Sequence, residues 1–273
     1  MKMYKYCIVF SVPILFLIQI ATAQQPAPSG SSVVTSPRPL LDAVRKLQET
    51  YGKVVTYEEP ILTWRGELQA KPGHDPERKW ELFPTPQSFL MPESRTGMDL
   101  SDSLDETITA YHQQTSGTRF KILSSKLGYH IVPVQAHDEN GRSVPATSAL
   151  DQIITVPNEV RTPERHLLAL GAAINSTGQT YVDISAVPGS ARGFDTYFRA
   201  QPEMFQWGVH SAVARDALID LLNQSASTFS WGLLCQASAQ ARDRLCALNI
   251  GLIEVAVTDS QGKPAKRILA YDR

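Results

Sequence analysis

The order of apolar and polar positions predicts a helix followed by a strand near the start of the chain. Apolar side chains recur at helical spacing from Leu40 to Tyr51, and Pro39 suits the first turn of such a helix. Gly52 can end the helix in the left-handed conformation. The β-branched and aromatic run Lys53–Tyr57 is typical of a strand.

The same pattern returns in the second half of the chain. A Thr-Pro-Glu sequence at 162–164 is typical of a helix start, and the apolar stripe that begins at Leu167 ends before Gly178. A strand is predicted next, over Tyr181–Ile184. Gly178 stands 126 positions after Gly52 (178 minus 52), so the pattern indicates an internal repeat.

A second helix and a hairpin complete each repeat, over 104–133 and over 213–255. The first of these helices is expected to begin with a capping box formed by Ser103 and Glu106. The second carries apolar residues at Leu218, Leu221 and other inward positions. We therefore predict an α+β fold made of two small units in tandem, each packing two helices on a small mixed sheet.

The remaining segments set the predicted boundaries. Residues 24–38 are rich in Pro, Ser, Gln and Gly, which is typical of a disordered segment. The predicted order is a signal peptide at 1–23, a disordered leader at 24–38, a first unit at 39–135 with a loop insertion at 70–97, a connector at 136–161 that adds an extended strand at Ile153–Val156, a second unit at 162–257, and a C-terminal hairpin or tail at 258–273.

The N-terminus indicates export. Lys2 and Lys5 precede an apolar run from Cys7 to Ile20, and Ala21–Ala23 fits a cleavage site. An uncleaved membrane anchor is the alternative, but the run is short and Pro-interrupted. Cleavage would leave 24 basic and 27 acidic residues, a net charge of about −3 that does not favour nucleic acid. We expect a periplasmic or secreted protein with no membrane span after cleavage.

Two cysteines remain after cleavage. Cys235 and Cys246 lie on matching faces of two neighbouring predicted strands, and an oxidising compartment allows them to pair. A redox or metal-binding pair is the other reading. The spacing differs from Cys-x-x-Cys, however, and no histidine lies nearby in the sequence. We predict a structural disulfide.

The proline-rich segment 70–97 is the candidate surface for a partner. It contains five prolines and no sustained period, which predicts an elaborated loop that is either functional or simply tolerated. Aromatic side chains in and near it could form a platform for a peptide or a carbohydrate, although aromatic residues at strand ends often belong to a core. The candidate partner-binding residues are Trp64, Trp80, Phe83 and Phe89.

Motifs for catalysis, metal binding or cofactor binding are missing from the sequence. The six histidines are scattered, and none stands at metal spacing with a carboxylate or a cysteine. Glu58 and Glu59 are adjacent, so on a strand they point to opposite faces, and we expect them to be a solvated strand end. The sequence predicts no catalytic residue, no metal site and no cofactor.

Two segments resemble the secretin and TonB N-terminal short domain (STN): Leu41–Leu47 with Gly52 and Val54, and Ala214–Leu222. The resemblance implies a periplasmic α+β module that docks protein partners, often through exposed sheet edges. The function expected on this basis is a non-enzymatic interaction module of the cell envelope that binds a protein partner through a sheet edge or the 70–97 loop. The alternative is a cell-envelope hydrolase or carbohydrate-binding protein that uses the Trp-bearing first half. The sequence does not predict the identity of the partner or the oligomeric state.

Overall fold

A computed structural model describes residues 31–61, 64–70, 82–95, 97–178, 180–186, 204–225, 227–236, 245–258 and 262–268. The predicted signal peptide and the first part of the predicted leader, residues 24–30, lie outside these ranges.

The two halves of the chain share the order strand, helix, strand, strand, helix, hairpin, and each adds further short strands to it. The first half runs β1 (Ser31–Ser36), α1 (Pro39–Tyr51), β2 (Val55–Glu58), β3 (Leu68–Ala70), β4 (Leu82–Pro84), β5 (Gln87–Pro92), α2 (Leu100–Gln114), β6 (Arg119–Ser124) and β7 (Tyr129–His137). The rest runs β8 (Ser143–Pro145), β9 (Ile153–Arg161), α3 (Pro163–Asn175), β10 (Tyr181–Ala186), β11 (Phe205–Val213), α4 (Ala214–Leu222), β12 (Phe229–Cys235), β13 (Leu245–Leu252), β14 (Glu254–Thr258) and β15 (Pro264–Ile268).

The predicted helix boundaries are largely confirmed. Helix α1 starts with Pro39 in its first turn and ends at Gly52, whose φ of 60° is the left-handed conformation that favours glycine. In α3 the side chain of Thr162 accepts a hydrogen bond from the Arg165 N–H, as an N-cap does. The capping-box prediction for α2 is wrong: Asp99 caps that helix and Ser103 is buried inside it.

Strands from both halves form one seven-stranded mixed sheet, which we call the central sheet. Its order is β10-β13-β12-β2-β7-β6, and β8 pairs with β7. In each half the first strand after the helix runs parallel to the last strand of the hairpin: β2 pairs with β7, and β10 pairs with β13. The halves join where β12 runs parallel to β2. The α+β class is confirmed, but the halves share a sheet instead of each forming its own.

The helices of the two halves cover opposite faces of the central sheet. Side chains of neighbouring residues on a strand point to opposite faces. On β12, Leu233 belongs to the core under α3 and α4, whereas Leu234 packs against the core of α1 and α2. Strand β10 also runs antiparallel to β2, because β10 is parallel to β13, β13 antiparallel to β12, and β12 parallel to β2. A half-turn about a line across the strands, combined with a shift along that line, therefore relates the two halves.

Two segments that were predicted to lack structure contribute strands. Strand β1 lies in the predicted disordered leader and pairs antiparallel with β5, which lies in the predicted loop insertion at 70–97. Both predictions are therefore wrong for these residues, while residues 71–81 lie outside the described ranges. Strands β9 and β11 pair in the same way in the second half. In each half, therefore, one strand of an antiparallel pair precedes the first helix and the other strand precedes the second helix.

The predicted disulfide and the last hairpin are confirmed. Cys235 and Cys246 are bonded to each other and are directly opposed across β12 and β13. Strands β14 and β15 pair antiparallel, although this hairpin begins at Glu254, before the predicted start at 258. Among the described residues, no helix has both the length and the apolar character needed to cross a membrane.

Candidate functional site

The four predicted partner-binding aromatic residues do not form one surface. Phe89 is only 2% exposed and packs edge-on against Tyr111, with ring centroids 5.5 Å apart, so it offers little surface to a partner. Trp64 is half-buried, 5.0 Å from the ring of His137. Phe83 is half-buried on β4, and Trp80 lies outside the described residues.

The acidic pair at the end of β2 is buried, so the expectation of a solvated strand end is wrong. Glu58 is fully buried, and both of its oxygens accept hydrogen bonds of 2.7 Å from the guanidinium of Arg215. Glu59 is 4% exposed and pairs with Arg38 at 2.6 Å. Burial raises the pKa of Glu59, and the Arg38 charge opposes that shift.

The Glu58–Arg215 pair joins the two halves across the β2–β12 junction, whereas the Arg38–Glu59 pair lies within the first half beside it. Arg215 lies on α4 of the second half, and Asp151 also contacts it at 2.7 Å. The pKa of Arg215 is raised: its burial opposes the shift, but the Glu58 carboxylate outweighs it. A Glu59 side-chain oxygen accepts a 3.0 Å hydrogen bond from the Cys235 N–H. The Glu58–Arg215 pair therefore stabilises the junction, and the Arg38–Glu59 pair lies next to it.

A small polar cavity lies beside this junction. It has a volume of about 40 Å³ and is lined by Arg38, Glu59 and Glu67, among others. Among the described residues, Glu67 Oε2 and Gln87 Oε1 have no hydrogen-bond partner. Such a space suits one or two water molecules that would satisfy these oxygens, and it is too small for an organic substrate.

The hydrogen-bonded chain Ser125–His130–Thr56 is the arrangement that comes nearest to catalytic chemistry. His130 Nε2 lies 2.7 Å from Ser125 Oγ, and its Nδ1 lies 2.9 Å from Thr56 Oγ1. Burial, and secondly the charge of Arg215, lower the pKa of His130 to about 4. Ser125 Oγ also accepts a hydrogen bond from the Leu127 N–H, as in a serine-type turn. This chain fixes the β6–β7 turn.

The other histidines lie in separate environments, and His137 pairs with Glu67 at 2.7 Å. The His112 ring accepts a 2.9 Å hydrogen bond from the Phe120 N–H at the start of β6. His130 is instead stacked on Trp231, with ring centroids 5.1 Å apart. No group of three or more potential metal ligands occurs in the part of the chain that the structure describes.

The outer edge of β6 presents backbone hydrogen-bonding groups at Ile122. The Ser125 N–H donates to the Gly128 C=O at 2.9 Å, and bonding groups alternate along an antiparallel strand. The backbone of Lys121 therefore faces β7, and that of Ile122 faces outward. No strand pairs with this edge within the described ranges. Ile122 is thus available for strand addition without any loss of the β6–β7 ladder.

The outer edge of β10 is partly occupied by a side chain of α3. The Asn175 amide bonds both backbone groups of Val182, at 2.7 Å to the N–H and 3.1 Å to the C=O. The next outward backbone position is Ile184, because alternate residues face the same side of a strand. Tyr181, at the start of the strand, is 59% exposed. No strand of the described chain pairs with this edge.

Comparisons with known proteins give no family: no family model, no curated protein and no solved structure matches the chain.

Sequence reasoning located the sheet edges only in general terms. The repeat at Gly52 and Gly178 indicated corresponding strands, but not which strands would be outermost. The Asn175–Val182 contact was missed altogether. Its one sequence signal is a polar residue shortly before each predicted first strand: Asn175 is six positions before Tyr181, and Gln48 is five positions before Lys53.

Proposed function

We propose that this protein is an exported interaction module of the cell envelope that binds a protein partner by strand addition to the outer edges of its central sheet. The observation that carries this proposal is the pair of outward backbone positions Ile122 and Ile184, on strands without a strand partner among the described residues. An extended segment gains main-chain hydrogen bonds at such an edge. The resemblance to the STN domain supports the same mode of binding and a periplasmic or secreted location.

The rigid structure behind the edges supports a binding role. Strand addition at low cost needs an edge that is already formed before binding. The disulfide at Cys235 and the buried pair Glu58–Arg215 lie in the middle of the sheet and fix its strands relative to one another. Tyr181 adds an exposed aromatic ring beside the β10 edge.

The 70–97 segment is a weaker candidate than the edges. Its strand β5 pairs with β1 and buries Phe89 and Met91, so these residues support the first core. The exposed described positions of this segment include the polar residues Glu93, Ser94 and Arg95, and residues 71–81 lie outside the described ranges.

The hydrolase alternative has less support. Of its best candidates, His130 is only 1% exposed and has a pKa of about 4, which makes it a weak base at neutral pH. Glu58 and Glu59 are each paired with an arginine. The contacts of these side chains therefore support a role in stability more directly than a role in catalysis.

The test replaces Ile122 and Ile184, one at a time, with proline and with alanine. Proline removes the outward N–H but no bond to β7 or β13, whereas alanine keeps the N–H and shortens the side chain. Partner cross-linking in whole envelopes should be lost with either proline variant and retained with the matching alanine variant. Equal recovery with all four variants would remove the edges from the proposal. A chain lacking residues 71–81 tests the loop separately.

A further inference from the structure

Hydrogen bonds at the first strand of each half show which residues correspond. The Val55 N–H donates to Gln48 Oε1 at 3.2 Å, and the Val182 N–H donates to Asn175 Oδ1 at 2.7 Å. In both halves the acceptor lies on the preceding helix, seven residues before the donor. Val55 and Val182 therefore occupy the same place in the two halves, on β2 and β10.

The hairpins give a second, independent correspondence. The Ser125 N–H donates to the Gly128 C=O at 2.9 Å, and the Gln236 N–H donates to the Leu245 C=O at 2.8 Å. Each bond joins the residue that follows the first hairpin strand to a residue at or just before the start of the second. The residues three positions before these two donors are Ile122 on β6 and Leu233 on β12, so these two residues correspond to each other.

Within one molecule, the strands that carry Val55 and Leu233 are neighbours and are joined by a backbone hydrogen bond. The Glu59 N–H, four residues after Val55, donates to the Leu233 C=O at 2.9 Å across the β12–β2 junction. The position four residues after Val182 is Ala186. The counterpart of the internal Leu233–Glu59 bond would therefore join Ile122 to Ala186.

These counterparts lie on the two outer strands of the same chain. Ile122 is on β6 at one end of the sheet, and Ala186 is on β10 at the other end. They cannot meet within one molecule, because four strands separate β6 from β10. Asn175 blocks only the start of the β10 edge, and Gln48 blocks the same part of β2 without preventing the β12–β2 junction.

We propose that the partner at these edges is a second copy of this chain, with β6 of one copy parallel to β10 of the next. The Ile122 C=O of one copy would accept from the Ala186 N–H of its neighbour. The inference rests on the proposed function, because it identifies the partner of the same edges. The half-turn that relates the two halves within one copy would then also relate the facing halves of neighbouring copies. Since β6 and β10 are different surfaces, the contact is head-to-tail and produces an open-ended assembly.

The contact between copies should be weaker than the internal junction. The internal junction contains the ion pairs of Glu58 and Glu59, whereas the corresponding residues of β10 are Ser185 and Ala186. A short edge contact without buried charge pairs is typical of transient association. Assembly should therefore be reversible and increase with protein concentration.

Sedimentation velocity of the full chain after signal removal tests this inference. The average mass of the wild type should rise continuously from micromolar to millimolar concentration. Ile122→Pro and Ile184→Pro should each remain monomeric, because proline removes an outward N–H in the middle of one of the two edges and places its ring there, and the alanine variants should assemble. An equimolar mixture of the two proline variants should stop at a dimer, since it has one intact edge of each kind.

A wild type that stays monomeric at every concentration would overturn the inference. The proposed function would survive that result if the proline variants still lost an envelope partner. The proposed function would fail together with the inference if the proline variants also left partner cross-linking unchanged.

A cross-linking experiment replaces the proline variants if they do not fold. In the internal junction, Gly232 lies opposite Tyr57. Their counterparts are the exposed Lys121 and the half-buried Ile184. A Lys121→Cys/Ile184→Cys variant treated with a short bis-maleimide should give a ladder of covalent dimers, trimers and larger species. Each single variant is the control. A ladder equally present in a single variant, or absent from the double variant, would refute the head-to-tail contact.

Discussion

At the residue scale, the buried pair Glu58–Arg215 shows how a distant partner changes the role of a residue. Two adjacent acids after a strand resemble a solvated end in the sequence. The partner of Glu58 is 157 positions away, and only folding brings its guanidinium within 2.7 Å. An ionised carboxylate can be buried at modest cost only when it is paired in this way.

Removal of one member of this pair should be strongly destabilising. Arg215→Met leaves the Glu58 carboxylate buried without its bidentate partner, and we expect a loss of about 3–5 kcal/mol in the free energy of unfolding, measured with urea. The double variant Glu58→Leu/Arg215→Met should recover part of the loss, because neither charge remains. A loss below about 1 kcal/mol for Arg215→Met would show that the Glu58 carboxylate finds another partner or is hydrated in the variant.

His130 should make the protein sensitive to acid. Its pKa is lowered from 6.5 to about 4 in the folded protein, first by burial and then by Arg215. Below pH 6.5 the unfolded chain takes up a proton that the folded chain does not bind, so stability falls as the pH falls towards 4. The difference between pH 7 and pH 4.5 amounts to about 2–3 kcal/mol from this group.

The measurement is urea unfolding at both pH values for the wild type and for His130→Gln. The variant should keep a smaller pH dependence, because burial also lowers the pKa of His166 and His112. The same pH dependence in both proteins would mean that His130 is not the source.

At the element scale, strand β1 shows the limit of composition as a guide to order. Its segment is rich in small and polar residues and buries little by itself, which is why the sequence predicts disorder. The strand forms because β5 pairs with all six of its residues. In addition, the hydroxyls of Thr35 and Ser88 form a hydrogen bond of 2.7 Å. Helix α1 needs no such partner to be predicted, since its apolar period and Gly52 are local signals.

Deletion of β1 should therefore destabilise the first half. A chain that begins at Pro37 loses six cross-strand pairs, and we expect a loss of about 2 kcal/mol relative to a chain that begins at Ser31. Thermal unfolding followed by circular dichroism measures the difference. Identical midpoints for the two chains would contradict a stabilising role for β1.

The disulfide should stabilise its hairpin by a limited amount. It spans 11 positions, and closing so short a loop contributes at most about 3 kcal/mol in the chain-entropy model. Urea unfolding of the Cys235→Ser/Cys246→Ser variant, compared with the oxidised and the reduced wild type, measures that contribution. The reduced wild type should match the variant, and a large difference between them would show an effect of the serines themselves.

At the scale of the whole molecule, the shared sheet makes the two halves dependent on each other. Tandem units with separate sheets would fold independently. In this protein β12 pairs with β2, and Arg38, Glu59, Glu58 and Arg215 cross or flank that junction. A half expressed alone would expose a central strand and leave a buried charge without its partner.

We therefore expect one cooperative unfolding transition for the whole chain. Calorimetry should give equal calorimetric and van't Hoff enthalpies. Fragments 31–148 and 149–268 should be unfolded or aggregated when produced separately. Two resolved transitions, or a folded and soluble fragment, would show that the halves are independent domains.

The sequence by itself determined the elements whose signals are local. The apolar periods, the helix-ending Gly52, the Thr162 cap and the facing cysteines each depend on residues close together in the chain, so they predicted the four helices, both hairpins and the disulfide. Only the tertiary structure decided that one sheet joins the halves, that the acids of β2 are buried, and that β6 and β10 are the outer strands. Strand pairing and charge burial depend on contacts between residues far apart in sequence, and no local pattern specifies which strands will meet.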